Sequence, residues 1–136
     1  MTYHFSKTLA LGMDEAIVRV TDELKKEGFG ILTEIDVQKT LKAKIDVDFR
    51  PYRILGACNP PLAHQALTAE PDIGLLLPCN VIVREEAPGR LVVGFLDPHV
   101  MVSLVGKPEV REVADAAEQR LRSACVSLGG TSPRAV

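Results

Sequence analysis

The chain has 136 residues, of which 46% are hydrophobic and 25% charged, with a net charge of −2. That length supports one domain with a hydrophobic core that needs no staples. Interspersed charges without a basic run argue against a nucleic-acid surface, and the absence of tryptophan with only 4% aromatic residues argues against base-stacking platforms.

Strand-like residues begin almost at Met1, which predicts no secretory leader, and no apolar run, Ile73 to Leu77 included, is long enough to span a bilayer. Three cysteines in such a chain point to reduced thiols and a cytoplasmic location, with a structural disulfide the weaker alternative.

Residues 2–9, TYHFSKTL, alternate with Tyr3, Phe5 and Leu9 on one face, and predict an amphipathic strand. A helix follows over 13–27. Met13, Ala16, Ile17, Val20 and Leu24 recur at helical spacing, acids occupy the first turn, and Lys25, Lys26 and Gly28 close the end. FGILTEID (29–36) predicts a second strand with Phe29, Ile31 and Ile35 on one face and Leu32 and Glu34 on the other. Asp36 can cap a short helix presenting Val37, Leu41 and Ile45.

Pro51 precedes a third strand, YRILGAC, which leads into NPPLAHQAL. Asn59 suits the N-cap and Pro60 the first helical position, whose N–H has no intrahelical partner in any case. Leu62, Ala63, Ala66 and Leu67 form the expected buried face, His64 falls off it, and Pro71 ends the element.

NVIVREE and RLVVGFLD form a hairpin about Ala87-Pro88-Gly89-Arg90, with a fold-back that sets Asn80 opposite Asp97. One of its faces carries Val81, Val83, Leu91, Val93 and Phe95, the other Ile82, Val92 and Leu96. One face covers the core. The second also needs cover, which predicts a homodimer or a ligand cavity. Asp97 and Pro98 then favour a short helix over alternation in DPHVMVSLV. The strongest helix comes last, with Val110, Val113, Ala114, Ala117, Leu121, Ala124, Cys125 and Leu128 repeating over five turns, before a tail (131–136) expected to fray.

Two long amphipathic helices packed on one face of a sheet make a two-layer α+β domain over residues 1–130. Cys125 lies on an apolar stripe and reads as core. Cys58 and Cys79 sit at strand ends beside asparagines. They share a rim of the sheet if their strands are antiparallel, and lie roughly 20 Å apart if the crossover is parallel.

The stretch from Glu34 to Val81, with its spaced GACNP and LPCNV segments, closely resembles a prokaryotic family of domains of unknown function, number three hundred and two. The resemblance implies a β-α-β4-α fold with an antiparallel sheet, similar in shape alone to the TATA-binding-protein class, and a homodimer. It also implies that Cys58 and Cys79 lie together, and it brings no biochemical activity.

Four readings of Cys58 and Cys79 remain at this stage: packing residues, a reversible dithiol, ligands for a metal or a haem, or a nucleophile at Cys58. Pro60 and Pro61 weaken the last, because they remove N–H donors that would stabilise a thiolate at the helix start. C-x20-C is not a zinc spacing, and Glu34, His64 and His99 are the further ligands on offer, with His99 near Cys79 by hairpin register. Glu34 either reaches a cavity and pairs with Lys39 or Lys42, or lies at a solvated rim. The sequence therefore predicts a small-ligand, metal or redox site built from Cys58, Asn59, Cys79, Asn80, Glu34 and His99. A thiol enzyme and an interaction module without chemistry are the alternatives.

Overall fold

A computed structural model describes residues 2–129. Met1 and residues 130–136, including the tail expected to fray, lie outside the described residues. Five strands form one antiparallel sheet in the order β1-β5-β4-β3-β2: β1 (His4–Leu9), β2 (Gly30–Asp36), β3 (Tyr52–Cys58), β4 (Cys79–Ala87) and β5 (Arg90–Leu96). The helices are α1 (Met13–Lys26), α2 (Val37–Ile45), α3 (Pro60–Ala69), α4 (His99–Val105) and α5 (Pro108–Ser127), with a 3₁₀ segment at Pro71–Leu76.

The helix boundaries follow the local chemistry. Asp36 Oδ1 accepts from Lys39 N at 2.9 Å to cap α2, and Asn59 Oδ1 accepts from Leu62 N at 3.3 Å to cap α3. The ambiguous DPHVMVSLV segment resolves as the short helix α4, closed by Gly106 at φ 76°.

The expected two-layer α+β arrangement is present. Helices α1 and α5 cover one sheet face, where Ala16, Val20, Leu24, Leu121, Ala124 and Leu128 pack with Leu55, Val81, Val83, Leu91, Val93 and Phe95. Arg122 of α5 lies over the Phe5 ring, 4.2 Å from its centre, and the Arg19 side chain donates to the Leu128 carbonyl.

A second, smaller core joins α3, the 3₁₀ segment, α4 and the start of α5 through Ala66, Ile73, Met101, Val110 and Val113. It lies at the end of the sheet where Cys58 closes β3 and Cys79 opens β4.

Two extra residues change what simple alternation predicts. In β2 the pairing steps from Ile31–Ala57 to Thr33–Gly56, so Leu32 is a bulge and every later side chain changes face. Ile35 therefore pairs with Ile54 on the face without α1 and α5, opposite to Ile31 rather than beside it. In the β4–β5 hairpin the register shifts between Glu85 and Ala87, so Val81 pairs with Phe95. Asn80 is thus level with Leu96, not Asp97.

The helix α3 differs in one position from its expected face: Ala66 is buried, but Leu67 is 40% exposed.

Candidate functional site

The antiparallel pairing of β3 with β4 sets Ala57 beside Cys79, which brings Cys58 and Cys79 to one rim of the sheet. Both line an apolar cavity of about 260 Å³ between the two cores. Its walls come from Phe29 and Leu32 of the β2 region, Leu62, Ala63 and Ala66 of α3, Leu77 and Pro78 ahead of β4, Met101 of α4, and Val113 and Ala117 of α5. Asn59 is also in the lining and is 7% exposed.

The local sequence explains why space remains here. Ala57 of β3, Ala63 and Ala66 of α3 and Ala117 of α5 present only methyl groups where these elements converge. Gly56 holds the sheet end close to its neighbours: a Cβ there would sit 2.8 Å from Pro78 Cγ and would also collide with Thr33 Oγ1. Bulkier side chains at the alanines would fill the cavity. The sequence keeps it open.

Cys79 meets an environment that favours its neutral form. Cys79 is buried, and desolvation, with a smaller contribution from Cys58, pushes its pKa up to about 11. Burial also raises Cys125 on the core stripe, against opposing contributions from Lys7 and Arg122. All three cysteines are free thiols. A neutral, polarisable sulfur in an apolar wall favours dispersion contacts with an apolar guest over charge-driven chemistry.

The remaining sequence candidates lie elsewhere. Asn80 faces the opposite side of the sheet, in a second, partly open pocket of about 380 Å³ with His4, Tyr52, Ile82, Arg84 and Val92. Glu34 Oε2 accepts from Arg53 Nη1 at 2.6 Å, a partner outside the expected Lys39 and Lys42; its side chain is 41% exposed. Lys42 instead pairs with Asp46 and Asp48. His64 is exposed.

His99 begins α4 and turns toward carboxylates: Nδ1 lies 2.9 Å from Asp97 Oδ1 and 3.3 Å from Glu118 Oε1, and Nε2 lies 2.6 Å from Asp115 Oδ1. Asp115, with help from Asp97 and Glu118, raises the His99 pKa against the lowering effect of burial. Among the described residues, Asp97, His99 and Glu118 are the one group of three or more metal-ligating side chains whose ligand atoms lie within 4.8 Å of one another. Neither cavity cysteine belongs to it. No sequence spacing pointed to this cluster beyond Asp115 and Glu118 sharing a helix face three residues apart.

No helix among the described residues is long and apolar enough to cross a membrane. A search of curated proteins finds no match. A crystal structure of an uncharacterized conserved protein DUF302 from Bacillus stearothermophilus is 33% identical and superposes with a TM-score of 0.85, covering 93% of this chain and 98% of that one. The profile described as Domain of unknown function DUF302 matches residues 5–128. With that match over most of its length and the shared antiparallel α+β fold, the chain belongs to the family DUF302.

Proposed function

We propose that the protein binds a small apolar molecule in the cavity walled by Cys58, Asn59 and Cys79. The observation that carries this reading is the lining itself. Alanine, leucine, phenylalanine and methionine side chains and two thiols line a partly open space of about 260 Å³. The buried Asn59 commits its Oδ1 to the α3 cap and its Nδ2 to the Glu27 carbonyl at 3.5 Å, leaving the lining almost wholly apolar. A 150 Å³ apolar cavity accommodates benzene, so this volume suits a guest of about ten non-hydrogen atoms. The half-exposed Leu67 and the more exposed Leu32 flank the opening.

Ligand-observed NMR with fragments of that size, indole and tetralone among them, tests the reading. Saturable binding should appear in the native protein and fall at least tenfold in Ala63→Leu, which fills the cavity while keeping a strong helix former on α3. No fragment binding, or binding indifferent to Ala63→Leu, would reject it.

The second part of the proposal is a homodimer through the sheet face that α1 and α5 leave open. Ile35, Ile54, Ile82, Val92 and Leu96 share that face across four strands, and Ile35 is 47% exposed. Apolar surface of this extent favours cover by a second copy. Light scattering at micromolar concentration should give twice the chain mass. Val92→Glu, which would bury an unpaired charge at a cost of about 3–5 kcal/mol, should weaken the dimer by at least a hundredfold. A monomer mass for the native chain would contradict the dimer. Free thiols suit a reducing compartment such as the cytoplasm.

A further inference from the structure

We propose that Asp97, His99 and Glu118 form a binding site for a divalent transition cation of borderline softness, such as Zn²⁺, with Asp115 orienting the imidazole. The site is separate from the cysteine cavity and does not depend on it.

The donor set matches that class of ion: one imidazole nitrogen and two carboxylate oxygens, from the β5–α4 connection, the first residue of α4, and the middle of α5. Tetrahedral coordination with bonds of about 2.0–2.1 Å places neighbouring ligand atoms roughly 3.3 Å apart. His99 Nδ1 and Glu118 Oε1 already stand 3.3 Å apart, and Nδ1 and Asp97 Oδ1 stand 2.9 Å apart. An ion would need to widen the second pair by a few tenths of an ångström, and the two carboxylate oxygens already lie within 4.8 Å of each other.

Asp115 supplies what a bound imidazole requires on its other side. Its Oδ1 is 2.6 Å from His99 Nε2, where it can accept the ring N–H. With an ion in place, that contact would hold the proton on Nε2 and free the Nδ1 lone pair for the metal; without one, Nδ1–H donates to Asp97.

Charge gives the same answer. Glu118 Oε2 accepts from Arg122 Nε at 2.6 Å, so three carboxylates face one guanidinium and the imidazole, whose Nδ1 proton a bound ion would displace. Two negative charges remain, which one divalent cation neutralises. The Asp97, His99 and Glu118 side chains are 20%, 28% and 26% exposed. That exposure lets an ion enter and leaves a fourth coordination position to water. The ion would fasten the start of α4 to α5.

Cobalt titration of chelator-treated protein, followed by visible absorption, tests the site and separates it from the thiols. One Co²⁺ per chain should bind saturably, with ligand-field bands but no thiolate-to-cobalt charge-transfer band. His99→Ala and Glu118→Gln should each weaken binding at least tenfold. Asp115→Asn should keep the bands while weakening affinity by about tenfold, as expected for a positioning residue. The Cys58→Ser/Cys79→Ser double variant should bind as the native protein does. If His99→Ala fails to fold, Glu118→Gln, which preserves side-chain volume, decides. The proposal is overturned by no saturable binding up to millimolar Co²⁺. It is equally overturned by a thiolate band that disappears with the cysteines, or by affinity unchanged in Glu118→Gln.

Discussion

Leu121→Ala should destabilise the protein by about 2–5 kcal/mol in denaturant unfolding, with little change in slope. Leu121 is fully buried in the C-terminal half of α5, in the cluster that joins α1, α5 and the helix-covered sheet face. Removing its isobutyl group loses the transfer free energy of the missing carbons. It also leaves a void that surrounding β-strands cannot easily close, because they are fixed by cross-strand pairing on both sides. A loss under about half a kcal/mol would mean that α5 does not pack as described.

The second large effect is chemical. Cys79, with its pKa near 11, should carry about a hundredfold less thiolate at pH 8 than an ordinary cysteine at 9.0. Because the thiolate is the reacting species, iodoacetamide should modify Cys79 at least that much more slowly than a free thiol. The rate should climb with pH up to about 11, and denaturant should abolish the difference. Site-resolved mass spectrometry measures this directly. Fast modification of Cys79 at neutral pH would show a stabilised thiolate, and would favour nucleophilic chemistry over an apolar wall.

Much of the architecture was legible because hydrophobic periodicity reports burial. Helix α5 follows its apolar stripe almost residue for residue, and the caps at Asp36 and Asn59 sit where short polar side chains precede helical repeats. The misread positions share one cause. Bulges at Leu32 and in the β4–β5 hairpin insert single residues, and because strand side chains alternate, one residue is enough to exchange faces. Ile35 and the Asn80–Asp97 pairing were misplaced for that reason.

The site was half legible. Cys58, Asn59 and Cys79 do converge on one cavity, because consecutive antiparallel strands return to the same rim. Asn80 turns away by strand alternation, and Glu34 finds Arg53 across the β2–β3 pair. The His99 cluster was hidden because its members come from a strand end and a helix 16 residues further on. Only tertiary packing of α4 on α5 unites them. Sequence spacing carries no trace of such a contact.

The central claim is that the apolar space against Cys58 and Cys79 is preformed and takes an apolar guest, and xenon tests it most directly. Xenon enters apolar cavities through dispersion alone and scatters strongly enough to be located in a crystal. A crystal pressurised with xenon should show an atom enclosed by Cys79, Leu62, Ala66 and Met101, with no protein shift beyond side-chain adjustment. Ordered water filling that space, or collapse of α3 onto the sheet with no xenon bound, would contradict the account.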